Sequence, residues 1–302
     1  MKFKYYTCDV FTDTKFGGNQ LAVFPNAENI PEHFLPQITK EFNFSETTFV
    51  YSPTIHSELQ SRRVRIFTPG AELPFAGHPT LGTAFVLASI GDFKITETET
   101  DILLEEGVGN VPVKIFSENQ KSKFLQLTAA KLPEFFSAPQ QNKIAEFLSL
   151  SVDDIDDSFP VEVVSCGVPF LFAAVKSHDA LKRIRINAQK MESALKSCVA
   201  KDVFVFTTDA EQSDSQFRAR MFAPLLGIPE DPATGSAAAS FAGYLAEKNS
   251  LQSGTLKWKI EQGFEMGRPS LLFIEADKQD GKTTAIRVGG SVVMMCEGEM
   301  EL

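Results

Sequence analysis

The two halves of the chain repeat each other, and this duplication limits the possible folds more than any other feature of the sequence. The segment RIFTP at 65–69 resembles RMFAP at 220–224, and TFVYS at 48–52 resembles VFVFT at 203–207. Both pairs are 155 residues apart. A period of this length indicates a duplicated domain, because solenoid repeats are only about 20–50 residues long.

Further matches extend the repeat in both directions. Upstream, GGNQLAVF at 17–24 resembles GVPFLFAAV at 167–175, with a few residues of slippage. Downstream, the dipeptide His78-Pro79 aligns with Asp231-Pro232. Because the matches keep one order, we expect two halves built from the same elements. The alternative is that β-rich segments of similar composition resemble one another without duplication.

Each half predicts a strand, a turn with Gly, a second strand, a helical segment, two more strands and an apolar helix. The apolar helices begin at turns with Pro and small residues, which favour a helix start. They are apolar nearly all round, as in helices buried within a domain. The pattern predicts an α+β fold in which strands wrap a central helix in each half. The predicted elements are strands at 4–11, 20–24, 47–51, 63–67, 101–106, 111–116 and 123–128 with helices at 32–42 and 80–88, then strands at 162–165, 171–175, 203–206, 217–222, 255–261, 270–275 and 285–297 with helices at 188–196 and 234–247.

Polar or Pro-containing segments at 117–122 and 129–142 mark the expected link between the halves. We therefore expect one domain over residues 1–118 and a second over 119–285. The acidic run SVDDIDDS at 151–158 is expected to be a solvated helix start.

Composition excludes several functional classes. The chain of 302 residues has a net charge of -10, and its longest basic cluster is Arg62-Arg63 with Arg65, so we expect no nucleic-acid partner. The first residues, MKFKYYTCDVF, lack the apolar core of a signal peptide, and no apolar run reaches about 18 residues. The sequence therefore predicts a cytoplasmic protein that does not enter the membrane.

The cysteine and histidine spacings predict neither a disulfide framework nor a metal site. No pair of cysteines forms a CxxC motif, and no histidines are spaced HxH or HxxxH. There is also no Gly-rich phosphate loop of the GxxxxGK[ST] or GxGxxG type. We expect four reduced thiols and no bound metal. The residues concerned are Cys8, Cys166, Cys198 and Cys296, and His33, His56, His78 and His178.

The two turns that begin the apolar helices, GHPTLGTA at 77–84 and DPATGSAA at 231–238, could bind an anion. The first N–H groups of a helix lack intrahelical partners, and the helix dipole adds partial positive charge. Two such helix starts, related by a pseudo-twofold, would suit a carboxylate substrate and any negative charge that develops on it. The alternative at each turn is a plain N-cap.

Three ionisable residues suggest the chemistry. If His78 and Asp231 correspond in the repeat, one turn carries an imidazole and the other a carboxylate, which suits proton handling or substrate orientation. Glu46 begins the strand before RIFTP and could lie beside His78. Its repeat partner at an offset of 155 is Lys201, so it would have no acidic counterpart. The alternative for Glu46 is a solvated side chain at a strand entrance.

These motifs resemble the phenazine-biosynthesis PhzF-like isomerase family over nearly the whole chain. The matching segments are SETTFV, FTPGAELPFAGHPTLGTA, GIPEDPATGSAA, GNQLAVF, QGFEMGRPS and VGGSVVM. The resemblance implies the diaminopimelate-epimerase-like fold of two pseudo-symmetric barrel-like domains, each a mixed or antiparallel sheet curled round a central helix. It also implies an enzyme without cofactor, a homodimer, and a last strand, about 286–302, that crosses back to the first domain.

The resemblance implies catalytic roles for four residues, all present here: Glu46, His78, Asp231 and Ser236. In the family the Glu moves a proton between two carbons of a cyclic carboxylate. Relatives that racemise amino acids carry two Cys at the helix turns, where this chain is expected to have His78 and Asp231. Substrate-binding roles are implied for Gly77, Gly235, Thr234 and Asn19.

Two residues depart from the family pattern and leave the substrate open. Gln20 replaces the Pro of the family's GNP motif, and Phe170 follows Val-Pro where His is common.

We expect a cofactor-independent proton-transfer isomerase acting on a small cyclic or unsaturated carboxylate. The alternatives are an epimerase of an amino-acid-like acid and a catalytically idle small-molecule-binding protein. Glu46 should need a raised pKa to carry a proton.

Overall fold

The computed structural model describes residues 1–302, apart from the side chain of Leu226. It has eighteen strands, six α-helices and four short 3₁₀ helices at Glu32–Phe34, Val152–Asp154, Pro224–Leu226 and Phe264–Met266. The strands are β1 (Lys2–Val10), β2 (Asn19–Phe24), β3 (Glu46–Tyr51), β4 (Gln60–Phe67), β5 (Glu72–Leu73), β6 (Glu99–Glu106), β7 (Gly109–Glu118), β8 (Lys121–Thr128), β9 (Glu134–Phe136), β10 (Glu162–Ser165), β11 (Pro169–Ala174), β12 (Asp202–Thr207), β13 (Phe217–Ala223), β14 (Ile228–Asp231), β15 (Gly254–Gln262), β16 (Ser270–Gln279), β17 (Lys282–Gly290) and β18 (Val292–Glu301). The helices are α1 (Leu35–Phe42), α2 (Gly77–Ser89), α3 (Gln141–Leu148), α4 (His178–Arg183), α5 (Ala188–Ala194) and α6 (Gly235–Glu247).

The chain divides into two compact units. Unit 1 contains Met1–Ala130 and Val288–Leu302, and unit 2 contains Lys131–Arg287. The polar segment at 117–122, expected to belong to the link, is instead the tight turn of the β7–β8 hairpin, where Asn119 and Gln120 have positive φ. Unit 1 therefore continues past the expected boundary at residue 118.

The two units have the same strand pairing, which confirms the duplicated α+β fold. In unit 1 the order is β18-β1-β2-β3-β4-β6-β7-β8, with β5 also on β4; the β2–β3 and β4–β6 pairs are parallel and the others antiparallel. In unit 2 the order is β9-β10-β11-β12-β13-β15-β16, with β14 also on β13; the β11–β12 and β13–β15 pairs are parallel and the others antiparallel. Strand β18 thus occupies in unit 1 the place that β9 occupies in unit 2.

Each sheet curls round one helix because that helix has no polar face. In unit 1, residues 77–87 of α2 are all buried, and the helix contacts β1, β2, β3, β7, β8 and β18. In unit 2, α6 is buried over nearly its whole length and contacts β10, β11 and β16. An apolar surface on every side of a helix can be removed from water only by covering every side. No described helix is both long and apolar enough to cross a bilayer.

The outer faces of the sheets carry a second apolar layer. In unit 1, Phe24, Phe49 and Phe67 pack beneath α1. In unit 2 the corresponding layer lies beneath α3, α4 and α5. Neither α3 nor α4 was expected, because their short sequences lack a long apolar period, and β9 and the start of α3 occupy the segment expected to be a link.

The expected helix start in the acidic run is confirmed. The Ser151 side chain accepts the Asp153 amide, and the Asp154 side chain accepts the Ser151 amide, which together form a capping box for the 3₁₀ helix Val152–Asp154.

We expect Gly82→Ala to destabilise the protein by about 1–3 kcal/mol, because added core volume forces neighbouring atoms to move. A Cβ at residue 82 would lie 2.5 Å from Leu21 Cδ2 and 2.9 Å from Val10 Cγ2. Ala has the higher helix propensity, so any net loss of unfolding free energy in urea reports packing. The control is Ser89→Ala at the exposed end of α2, and equal stability of the two variants would contradict close packing at Gly82.

Candidate active site

Glu46 is the first residue of β3 and faces the central helix of unit 1. Strand side chains alternate, so Glu46 shares a face with Thr48. The Thr48 hydroxyl lies 2.8 Å from the hydroxyl of Thr83 in α2, which identifies this face as the inner one. Glu46 is only 8% exposed, so the interpretation as a solvated side chain at a strand entrance is wrong.

His78 lies beside Glu46, as expected. It is the second residue of α2 and is 3% exposed, and its Nε2 is 3.4 Å from Glu46 Oε2. Burial lowers the pKa of His78 to about 3, although a hydrogen bond with the Gln20 backbone opposes the shift. The imidazole is therefore neutral at physiological pH, and its approach to Glu46 is a close polar contact between a carboxyl group and a neutral ring rather than an ion pair.

Two residues at the start of β2 contact the His78 ring. The Nδ2 atom of Asn19 lies 3.2 Å from His78 Nδ1. The Gln20 backbone also forms a hydrogen bond with the ring, which opposes the fall in the His78 pKa. Asn19 is buried, which keeps its amide in place. Three of the expected site residues, Glu46, His78 and Asn19, thus come together in unit 1.

In unit 2, Asp231 and Thr234 come together immediately before α6. The Thr234 hydroxyl donates to Asp231 Oδ2 at 2.5 Å, and Thr234 is the N-cap residue of the helix. Gln262 at the end of β15 also holds this turn. Its Nε2 donates to the Asp231 carbonyl at 2.8 Å, and its Oε1 accepts the Thr234 amide at 3.1 Å. Gly235 and the half-buried Ser236 are the first two residues of α6.

The expected correspondence between His78 and Asp231 is wrong. Aligning RIFTP with RMFAP makes Ile66 the counterpart of Met221. In the strand register, Ile66 lies opposite Leu73, and Met221 lies opposite Asp231. Asp231 is therefore the counterpart of Leu73. Each of these residues lies four positions before the Gly that begins the central helix, so His78 corresponds to Ser236. The true alignment is LPFAGH with DPATGS, which share Pro and Gly.

The expected pairing of Glu46 with Lys201 is also wrong. In the strand register, Thr47 lies opposite Phe67, and Val203 lies opposite Phe222, the counterpart of Phe67. Thr47 therefore matches Val203, and the offset between β3 and β12 is one residue longer than the offset between the RIFTP and RMFAP strands. The counterpart of Glu46 is the buried Asp202, and both are the first residues of their strands.

Glu106 is a buried acid beside α2 that no sequence motif indicated. The Thr80 hydroxyl in the first turn of α2 donates to Glu106 Oε1 at 2.7 Å. Burial raises the pKa of Glu106 to about 8, although the Thr80 hydrogen bond opposes the shift. In the strand register, Arg63 of β4 lies opposite Glu105 of β6, and the equivalent Arg218 of β13 lies opposite Glu261 of β15. The next residues along β6 and β15, Glu106 and Gln262, are therefore counterparts. A register-based alignment of the repeats would have identified it.

Each of the two buried thiols donates a hydrogen bond to the central helix of its own unit. Cys8 Sγ donates to the Gly82 carbonyl at 3.9 Å, and Cys166 Sγ donates to the Ala239 carbonyl at 3.6 Å. Burial raises the pKa of both thiols, that of Cys166 to about 12. Neither helix start, LPFAGH or DPATGS, contains a cysteine. Among the described residues, no three His, Cys, Asp or Glu side chains cluster as a metal ion would require.

Comparisons with known proteins agree with this architecture. A family model described as "Phenazine biosynthesis-like protein" matches residues 8–298. An uncharacterised isomerase of Mesorhizobium japonicum is 36% identical over 98% of both chains. Trans-2,3-dihydro-3-hydroxyanthranilate isomerase of Pseudomonas aeruginosa is 33% identical over 99% of both chains. The crystal structure of a PhzF-family phenazine biosynthesis protein from Bacillus anthracis is 25% identical over the whole of both chains, with a TM-score of 0.89.

We expect the stability of the protein to fall relative to that of Glu106→Gln as pH rises from about 5 to 9. In the folded state Glu106 stays protonated until the pH approaches its pKa of about 8, whereas in the unfolded chain it loses the proton near its ordinary pKa. The stabilisation is thus complete at low pH and is lost as pH rises through 8, by up to about 4 kcal/mol. Urea unfolding at several pH values measures this difference. The exposed Glu58→Gln is the control, and a pH-independent difference for Glu106→Gln would contradict the raised pKa.

Proposed function

The chain belongs to the phenazine biosynthesis-like family of PhzF-type isomerases, and we propose that it moves a proton between two carbons of a small carboxylate without a cofactor. The observation that carries this proposal is the buried contact between Glu46 and the neutral ring of His78. A carboxyl group that takes a proton from carbon and returns it elsewhere must be stable in both protonation states.

His78 can serve both states of Glu46 without acquiring charge. When Glu46 is ionised, the ring with its proton on Nε2 donates toward the carboxylate, and Nδ1 accepts from the Asn19 amide 3.2 Å away. When Glu46 is protonated, the same Nε2–H donates toward the carbonyl oxygen of the carboxyl group, so no proton has to move on the ring. Burial excludes the charged form of the ring in both states.

The substrate we propose is a cyclic or unsaturated carboxylate. One relative, 33% identical over nearly its full length, is named trans-2,3-dihydro-3-hydroxyanthranilate isomerase, which makes that compound the first to test. A backbone N–H group at the start of a helix is suited to binding a carboxylate, and Gly77 in unit 1 and Gly235 in unit 2 each begin a helix. Asp231 and Ser236 are proposed to orient the substrate and steer protons, with Thr234 and Asn19 among the substrate-binding groups.

The family resemblance also supports a cytoplasmic homodimer, which we include in the proposal. Light scattering of the purified protein at several concentrations measures the oligomeric state, and a monomer at every concentration would contradict the dimer.

We expect Glu46→Gln to lose at least about 100-fold in turnover, because an amide cannot carry the proton. The assay follows deuterium uptake from D₂O into trans-2,3-dihydro-3-hydroxyanthranilate by NMR, with the substrate affinity of the variant measured by calorimetry. Wild-type affinity with lost turnover is the expected result.

The matched control is Glu41→Gln, an exposed glutamate five residues earlier, which should retain full activity. Full activity of Glu46→Gln would overturn its assignment. If a panel of cyclic and acyclic carboxylates is racemised, the protein is an epimerase instead. If no member of that panel takes up deuterium, a binding protein is the better interpretation.

A further inference from the structure

Arg63 of β4 and Arg218 of β13 are equivalent residues on the outer faces of the two sheets. In the strand register they lie opposite the equivalent acids Glu105 and Glu261. Arg63 also lies opposite Tyr51, which belongs to the outer apolar layer of unit 1, and directly paired residues project to one side of a sheet. The guanidinium carbon of Arg63 is 4.7 Å from the centre of the Tyr51 ring.

In unit 2, three carboxylates surround the buried guanidinium of Arg218. Its Nη1 lies 2.7 Å from Glu211 Oε2 and 3.5 Å from Glu261 Oε2. Glu265 Oε1 accepts from Arg218 Nε at 3.1 Å and from Nη2 at 2.9 Å. The ring of the adjacent Phe264 has its centre 4.4 Å from the guanidinium carbon. The loop after β15 thus supplies both a carboxylate and an aromatic ring to this arginine.

Unit 1 lacks the segment that carries this carboxylate and ring. The loop between β15 and β16 has seven residues, 263–269, and includes Phe264 and Glu265. The corresponding turn between β6 and β7 has two residues, 107–108. The equivalent of Glu265 is therefore absent beside Arg63.

The second carboxylate is replaced by a hydroxyl group. The Glu211 amide donates to Glu261 Oε2 at 2.9 Å, and the Thr54 amide donates to Glu105 Oε1 at 3.0 Å. Because Glu261 and Glu105 are equivalent, Thr54 takes the place of Glu211. Of the three acids round the unit 2 arginine, only one has a counterpart in unit 1.

The space beside Arg63 is an open cleft of about 660 Å³. Ile55 and Pro74 contribute apolar surface to it, and neither Glu46 nor His78 lines it. The Nε atom of Arg63 is buried and has no hydrogen-bond partner among the described residues. The cleft therefore contains a donor that is satisfied in the other unit and unsatisfied here.

Two other ionisable groups that line the cleft leave this donor available. Arg65 pairs with Glu72 at 2.7 Å and with Glu32 at 3.1 Å. Glu106 is protonated at neutral pH, because burial raises its pKa to about 8.

The carboxylates nearest to Arg63 hold backbone amides. Hydrogen bonds from Ser52 and the charge of Arg63 lower the pKa of Glu28. Burial raises the pKa of Glu105, but hydrogen bonds from Thr54 and the charge of Arg63 bring it below its usual range. The equivalent arginine in unit 2 has such an acid too, and still binds two further carboxylates.

We propose that this cleft binds a small organic carboxylate, which pairs with the Arg63 guanidinium as Glu265 pairs with Arg218. A guanidinium presents its N–H groups in a planar fork that matches the two oxygens of a carboxylate. The position of Phe264 favours a ligand with a ring next to the carboxylate. This site is separate from the proposed proton transfer and does not depend on it.

Binding is tested with benzoate, which combines a ring and a carboxylate. The Nε–H signals of protein labelled with ¹⁵N-arginine are followed by NMR, and the Arg63 signal is assigned by its loss in Arg63→Gln. Benzoate should move this signal to lower field in a saturable way, and uncharged benzamide should not. The Arg65 signal should stay in place, because its Nε already donates to Glu72. No movement of the Arg63 signal up to about 10 mM benzoate would overturn the site.

A second test restores a missing carboxylate. Thr54→Glu places an acid where unit 2 has Glu211, and it should weaken benzoate binding by at least about tenfold because it occupies the guanidinium and repels the anion. The matched control is Thr54→Gln, which has the same length without the charge and should bind benzoate nearly as the wild type does. Equal affinities of the two variants, measured by calorimetry, would contradict the pairing with Arg63.

A carboxylate on a second copy of the chain could satisfy the same donor, and light scattering distinguishes this source. If the cleft takes a free carboxylate, Arg63→Gln should lose benzoate binding and keep the oligomeric state of the wild type. A change of oligomeric state in Arg63→Gln, with no response of the wild-type Arg63 signal to benzoate, would overturn the small-molecule site.

Discussion

The burial of the central helix in each unit is the constraint on which the rest of the structure depends. A helix that is apolar on every side must be covered on every side, so the strands wrap round it and present their inner faces to it. Along the middle of the helix those inner faces must be apolar. At its start, however, unpartnered N–H groups favour polar and acidic neighbours. The ionisable residues Glu46, Glu106 and Asp202 accordingly lie at strand ends, and Asp231 lies at the turn into the helix.

The duplication provides two copies of this arrangement with different chemistry at equivalent positions. Glu46 corresponds to Asp202, and His78 corresponds to Ser236. In unit 1 the side chain of Glu106 accepts a hydrogen bond from Thr80, whereas Gln262 at the same position in unit 2 holds the backbone before α6. The backbone thus determines where polar groups can be placed beside the helix, and the side chains determine whether a proton is held there.

The fold could be predicted from the sequence because the repeated motifs lie on the strands that build the sheet. The register between the halves could not, because the offset changes along the chain. It is 155 residues at RIFTP and 158 at the helix starts, and His-Pro resembles Asp-Pro closely enough to suggest a false match. Only the strand pairing shows that Pro74 matches Pro232. The short β9 and α3 lack periodicity, and the pairing of β1 with β18 is indicated by the family resemblance rather than by any residue pattern.

The contact of Glu46 with His78 could be expected, because Glu46 begins the strand next to the RIFTP strand and His78 lies at the helix start that follows RIFTP. The burial of Asp202 at the position equivalent to Glu46 could not be expected, because the wrong register placed Lys201 opposite Glu46. Burial decides the chemistry of these groups, and the depth of a side chain at a strand end depends on which neighbours cover it. Those neighbours come from segments distant in sequence, such as the Asn19 amide against His78.

The pairing of β1 with β18 also has a consequence for how the protein is made. Lys2 pairs with Glu301, so β1 acquires this edge partner only after all the intervening strands, β2 to β17, have been translated. Unit 2 is continuous from Lys131 to Arg287 and can complete its own core earlier. Until then β1 has an unpaired edge, a feature that promotes association between strands of different chains. The long sequence separation of this contact makes the closing of unit 1 a late and slow step in folding.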